Sequence, residues 1–314
     1  MASWAIVAAL AMQAAGPVAT EVEAPGPSGP LKGTMLAPAG APRAVALILP
    51  GSGATDRDGN NAAGVRAAPY RLLAEGLAAR GIATIRADKR GIRASFAAGS
   101  PNSSTIADYA ADTRQWVRVS RERTGARCVW LLGHSEGGLI ALVAGQTPEN
   151  ICGLILVSAG GRPIGTVLRE QLNANPANAP LLPQAMAAID ALEAGRRADV
   201  TGMDPRLLPL FAPPIQDYMI SLFSYDPARL IASVRQPVLI VQGLRDLHVG
   251  EVDARRLAEA NSAARLTLLP GVNHVLKTVA TDDRAANLAT YADPALPLAP
   301  GLVEAIAGFI EAGS

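Results

Sequence analysis

A chain that carries Trp130-Leu131-Leu132-Gly133-His134-Ser135-Glu136-Gly137-Gly138 has few ways to fold that stretch. The apolar run 128–132 reads as a buried strand, and 139–144 reads as a helix. Between them stands Gly-His-Ser-Glu-Gly. Strand, sharp turn and helix in that order place Ser135 at the tip of the turn, with its hydroxyl above the sheet edge. Gly133 and Gly137 flank it because a Cβ at either place would crowd the neighbouring strand or helix. The pentapeptide alone could arise by chance among 30 glycines, so the flanking pattern carries the reading.

The rest of the chain repeats strand and helix in alternation. Residues 18–23 and 32–37 read as a hairpin around a Pro- and Gly-rich turn. Residues 44–49 form a continuous apolar run, as in a sheet covered on both faces. A helix is predicted over 70–80, a strand over 82–87 and a long amphipathic helix over 106–123. A strand over 153–157 follows the Ser135 helix. The alternation then breaks. Residues 161–234 hold helical patches at 164–172, 182–193 and 215–223, with no buried-strand pattern. Strands resume at 237–242 and 266–269, with helices at 252–260 and 302–310. The expected fold is α/β: a doubly wound, mostly parallel sheet with a helical cap insertion. The expected division is a core of 17–160 and 235–314, with the cap at 161–234. Ligands of such sheets bind beyond the carboxyl ends of the strands, where Pro50–Gly53, Gly133–Gly137, Gly243–His248 and Asn273–His274 can converge.

Net charge is +1 and charged residues are 18% of the chain, so no basic patch argues for a nucleic-acid partner. Residues 4–15 are apolar and about the length of an export signal's core, although no Lys or Arg precedes them. The run is too short to span a bilayer comfortably. Residues 1–16 are therefore expected to be a signal peptide, and the mature protein periplasmic or secreted without membrane insertion; a frayed or mis-started N-terminus on a cytoplasmic protein is the alternative. Cys128 and Cys152 lie near the starts of two strands. Export would permit a disulfide between them, and two buried free thiols are the alternative.

A serine hydroxyl needs a base to act as a nucleophile at neutral pH. The chain has three histidines, His134, His248 and His274. His134 adjoins Ser135 and should point elsewhere, as a packing residue. His274, in the loop after the last predicted strand, is the candidate base, with His248 or a surface role for His274 as alternatives. Asp246 follows the strand 237–242 and is the candidate for orienting the imidazole. The order Ser135, Asp246, His274 suits a triad built on such an elbow. An oxyanion needs preorganised donors. The candidates are the backbone N–H of Glu136 and that of Ser52, in the glycine-rich loop after Leu49. Asp56, Asp58 and Asn60 mimic a calcium loop, but Asn61 and Ala67 stand where Gly and Glu are needed. No phosphate loop and no His-x-x-x-His metal spacing occurs, and the chemistry calls for no cofactor. The Glu136 side chain is expected to be solvated or salt-bridged. The charges of Asp88-Lys89-Arg90 are expected to pair locally.

Together these residues resemble the α/β-hydrolase superfamily from about Thr20 to the C-terminus. More narrowly, four stretches are similar to a serine-esterase group that also carries a serine-aminopeptidase label. They are Leu49-Pro50-Gly51-Ser52-Gly53 with Asp56-Arg57-Asp58-Gly59-Asn60, Asp88-Lys89-Arg90-Gly91, Gly133 to Gly138, and Asn273-His274. The resemblance implies Ser135 as nucleophile, Asp246 as acid, His274 as base, and a helical cap before the acid-bearing strand. The group often has Arg-Gly-x-Gly-x-Ser after the fourth strand. Here the second glycine is Arg93.

The expected function is cleavage of small-molecule carboxylic esters, short-chain ones favoured, through an acyl-enzyme on Ser135. An amide or peptide hydrolase, or an acyltransferase, could use the same triad. A non-catalytic binding protein on this scaffold would not need all three residues. Tyr218, Phe211 and Phe223 are candidate substrate-binding residues from the insertion, together with Leu208, Leu210 and Met219. All six could equally be the cap's own core.

Overall fold

The computed structural model describes residues 16–313. The apolar run 4–15 lies outside the described residues, as does the rest of the expected signal peptide apart from Gly16. The strands are β1 (Val18–Ala24), β2 (Leu31–Ala37), β3 (Ala44–Leu49), β4 (Ile82–Ala87), β5 (Val129–His134), β6 (Ile151–Val157), β7 (Val238–Gly243) and β8 (Arg265–Leu269). They form one sheet in the order β1-β2-β4-β3-β5-β6-β7-β8. β2 pairs antiparallel with β1 and β4, and every later pairing is parallel.

The continuous apolar strands follow from burial on both faces. Successive side chains alternate between faces. Ala46, Ile48, Trp130 and Leu132 therefore meet one helical layer, while Val45, Leu47, Val129 and Leu131 meet the other. The first layer is α1 (Pro69–Ala78), with α11 (Leu302–Ala312) beside it. The second holds α2 (Ile106–Thr124), α3 (Glu136–Ala144) and α9 (Glu251–Ala260). Thr105 opens α2 with a capping box to Asp108, and Gly125 closes it at φ 71°.

Between β6 and β7 lie α4 (Ile164–Ala174), α5 (Leu182–Glu193), α6 (Leu208–Phe211), α7 (Gln216–Phe223) and α8 (Pro227–Ala232). Ile189, Leu192, Phe211, Met219 and Phe223 form a core of their own there. α8 departs from that group: Ile231 is buried in the main core, and α8 packs against α3 and α9. A short α10 (Arg284–Ala289) precedes α11, capped by Asp283.

Cys128 and Cys152 form a disulfide between the starts of β5 and β6, their Cα atoms 5.1 Å apart. Both are half-buried, so the alternative of two buried thiols does not hold. Among the described residues no helix is long and apolar enough to cross a membrane.

Candidate active site

The connection from β3 runs outward to β4 through α1 and that from β5 runs the other way to β6 through α3, on the opposite face, so the order reverses between β3 and β5. The crevice at such a reversal is where open α/β sheets take ligands. Ser135 stands there, between β5 and α3, at φ 55° and ψ −121°. That backbone is strained for an L residue and survives because its surroundings fix it. The Ser135 N–H donates to the Val157 carbonyl at 2.9 Å. A Cβ on Gly133 would meet the Gly137 carbonyl oxygen at 2.1 Å, and one on Gly137 would meet that of Leu49 at 2.2 Å. The turn is closed to anything but glycine at both places.

Two further loops reach the same edge. His274 Nδ1 lies 2.8 Å from Asp246 Oδ2, with the Asp246 side chain fully buried. The other carboxylate oxygen accepts the backbone N–H groups of His248 and Val249, at 2.8 and 3.0 Å. Burial works to raise the Asp246 pKa; the His274 ring and these N–H donors overcome it and hold the carboxyl down to about 2. An ionised Asp246 can only accept, so His274 Nδ1 carries the proton and leaves Nε2 as a base.

His134 is a packing residue, as expected, with a hydrogen-bonding role that its position in the sequence does not reveal. Its Nε2 lies 2.8 Å from the His274 carbonyl oxygen and its Nδ1 lies 2.9 Å from the Tyr70 hydroxyl. A carbonyl only accepts, so Nε2 donates and Nδ1 accepts from Tyr70. The Tyr70 oxygen in turn accepts the Gly51 N–H at 3.0 Å. Burial first, then the His274 ring, push the His134 pKa down to about 3, so this ring is neutral. One uncharged chain thus ties the loop after β3 to the elbow and to the His274 loop.

The charges of Asp88-Lys89-Arg90 all pair, but with partners on other loops and helices and not within their own stretch. Asp88 meets Arg57 at 3.0 Å and Arg90 meets Asp112 at 2.7 Å. Lys89 Nζ donates to the Gly51 carbonyl at 2.8 Å and pairs with Glu136 at 3.3 Å. The second Glu136 oxygen accepts the Tyr218 hydroxyl. Glu136 is therefore buried and salt-bridged.

Ser135, His274, Ser52 and Glu136 all line one cavity of about 610 Å³, together with Gly51, Tyr70, His134 and His248. Its far wall comes from the inserted helices and the chain after them: Ile164 and Val167 of α4, Gln171, Leu222 of α7, and Tyr225. The expected lining residues are placed differently. Phe211 and Phe223 are buried inside the insertion's own core, and Tyr218 is turned to Glu136. None of the three lines the cavity. α7 is apolar around much of its surface: Met219 and Phe223, four apart, are buried in the insertion's core, while Tyr218 and Leu222 pack against both that core and the main one. The Asp56 side chain accepts the N–H groups of Asp58 and Asn60, as in a turn. No cluster of metal-ligating residues occurs among the described residues.

Residues 64–191 match the family model described as "Serine aminopeptidase, S33"; Ser135 falls inside the match, Asp246 and His274 outside it. Esterase EstD of Thermotoga maritima is 25% identical over 259 residues, which is 78% of this chain and 58% of that protein. The chain therefore spans less than two thirds of this relative's length. Among solved structures, Est1E from Butyrivibrio proteoclasticus aligns over 93% of this chain and 98% of its own, at 17% identity and a TM-score of 0.56. The Pyrococcus furiosus esterase Pf2001 aligns over 94% and 93%, at 15% identity and a TM-score of 0.56. The chain has the fold of these esterase structures, an α/β-hydrolase fold, and is similar in sequence to serine hydrolases at the signatures it carries.

Proposed function

We propose that this α/β-hydrolase cleaves small-molecule carboxylic esters, short-chain ones favoured, through an acyl-enzyme on Ser135. The observation that carries this reading is the Asp246–His274 hydrogen bond at the rim of the cavity that holds Ser135. His274 Nε2 takes the serine proton as Ser135 attacks the carbonyl, and Asp246 stabilises the imidazolium that forms. The imidazolium then protonates the leaving alcohol. Water, activated by the same His274, releases the acid. The Ser52 and Glu136 N–H groups would hold the oxyanion. The Gly51 N–H already serves Tyr70, so Ser52 supplies the donor from that loop.

The family description raises peptide-bond cleavage at a free amino terminus as a second reading. Such a substrate presents an ammonium that an unpaired carboxylate would bind. The acids lining the cavity are Glu136, paired with Lys89 and Tyr218, and Asp253, held by Arg162 at 3.0 Å. Neither is open to a substrate cation, which favours the ester reading. We take the inserted helices as a cap over the cavity, the expected 161–234 within a core of 17–160 and 235–314. We place the mature protein in an oxidising compartment, periplasmic or secreted. The Cys128–Cys152 disulfide supports that placement.

The test is hydrolysis of p-nitrophenyl esters from acetate upward, with Ser135→Ala as control. Turnover should peak at short chains, and the substitution should lower kcat by about 10³-fold or more. Labelling of Ser135 by a fluorophosphonate without turnover of any ester would move the reading to amide cleavage or acyl transfer. A folded protein that neither turns over esters nor labels would be a binding protein.

A further inference from the structure

The ion pair between Lys89 and Glu136, of which Glu136 lines the cavity, has no part in the chemistry above. Lys89 and Glu136 are nearly closed off, their side chains 7% and 3% exposed. The Lys89 ammonium also lies over the Tyr109 ring, 5.2 Å from its centre. Burying such a pair is expensive, and an apolar pair of similar shape would serve stability as well or better. Its retention calls for a reason in geometry.

The reason lies in which carbonyl Lys89 holds. The Gly51 oxygen and the Ser52 N–H belong to the same peptide unit. No cis bond occurs among the described residues, so in that planar trans unit the two point in opposite directions. Fixing the Gly51 oxygen at 2.8 Å from the ammonium therefore aims the Ser52 N–H the other way. A cation on the carbonyl also polarises the amide and strengthens its N–H as a donor. On the opposite side, Glu136 is gripped through both carboxylate oxygens, by Lys89 and by the Tyr218 hydroxyl. The backbone N–H groups of Ser52 and Glu136 are the two proposed oxyanion donors. Lys89 thus joins the peptide unit that carries the Ser52 N–H to the carboxylate of Glu136.

We propose that Lys89, braced by Glu136 and Tyr218, is a positioning residue that sets the oxyanion hole by holding the Gly51–Ser52 peptide plane. The inference rests on the esterase reading and deepens it. It gives Glu136 two separate tasks: its N–H faces the oxyanion and its carboxylate is the counter-charge of Lys89. Lys89 touches no reacting atom.

The experiment compares the unsubstituted protein with Lys89→Met/Glu136→Gln, which removes both buried charges together. Active sites are titrated with a fluorophosphonate so that rates refer to competent protein only. With p-nitrophenyl acetate, kcat per titrated site should fall by about 10²-fold while KM moves less than about threefold. A trifluoromethyl ketone, whose hydrated or serine-bound form carries the oxyanion, should lose affinity by a similar factor. Lys89→Gln, which keeps a neutral donor, should lie between. Tyr218→Phe, which leaves the Lys89 contact in place, should cost less than about tenfold. A residue that only supported the fold would lower the titrated fraction and leave kcat per site and ketone affinity alone. That result overturns the proposal, and so does an equal loss in KM and kcat without weaker ketone binding. Absence of ester turnover and of labelling in the unsubstituted protein would instead remove the esterase reading, and the clamp with it.

Discussion

Arg93 stands at φ 44°, a left-handed backbone angle that costs an L residue about 1–2 kcal/mol. The esterase group that the sequence resembles often carries glycine at this step of the loop after β4. The side chain returns little: it is 60% exposed, and its nearest carboxylate, Asp56, is 3.9 Å away. Arg93→Gly should therefore stabilise the protein. The gain should be about 0.5–1 kcal/mol once glycine's extra freedom in the unfolded chain is subtracted. A urea midpoint that fails to rise would show that the arginine side chain holds the loop in some further way. The elbow was legible in the sequence for a related reason. At Gly133 and Gly137 the backbone tolerates no side chain, so the requirement is written into residue identity. Asp246 and His274 were legible by their place after strands. The roles of Tyr70, Lys89 and Tyr218 were not, because each depends on a partner at least 19 residues away.

At the scale of elements, loops that carry separate functions are joined by buried polar links, and these set how stability depends on pH. His134 is held down to about 3, against about 6.5 in an unfolded chain. Between those values the unfolded chain binds a proton that the folded protein refuses. The contribution of His134 is thus complete above about pH 6.5 and is lost as pH falls towards 3. Asp246, held at about 2, adds a second loss between about 3.8 and 2. Urea midpoints should fall from about pH 6 downward. His134→Gln, which keeps a donor for the His274 carbonyl, should be less stable at pH 7 and show a shallower acid slope. An unchanged slope would place the acid sensitivity elsewhere. The disulfide works on other elements, tying β5 to β6 across 24 residues. Loop closure of that size is worth about 3 kcal/mol, so Cys128→Ala/Cys152→Ala should lower the unfolding free energy by about that much. A loss below about 1 kcal/mol would mean that parallel pairing alone already holds the two strands in register. α6 and α8, of 4 and 6 residues, were missed in the sequence. A helix of fewer than two turns shows no periodicity, and each has a proline at its start.

Across the whole molecule, the site is made where two bodies face each other: the carboxyl edge of the sheet and the inserted helices. The sheet edge followed from alternation of strand and helix, since that pattern fixes which loops meet. The facing wall did not. Which side of α4 or α7 looks into the cavity depends on how the inserted helices pack, and that is a matter of contacts far apart in the chain. The aromatic residues proved the poorer guide: Phe211 and Phe223 fill the insertion, while half-buried aliphatic residues such as Val167 face the cavity. On the proposed esterase reading, the insertion should take a measurable part in selecting the ester. If the acyl chain extends from Ser135 towards α4, Val167→Trp fills space that only longer chains need. The kcat/KM for p-nitrophenyl acetate should then stay within about twofold. That for octanoate should fall about tenfold or more, the scale on which a filled apolar pocket discriminates chain length. An equal fall for both esters would mean that the indole disturbs the catalytic groups themselves. Equal retention would place the acyl chain on the other side of the cavity, towards Leu288 and Tyr291, where the same substitution at Leu288 should then select against octanoate.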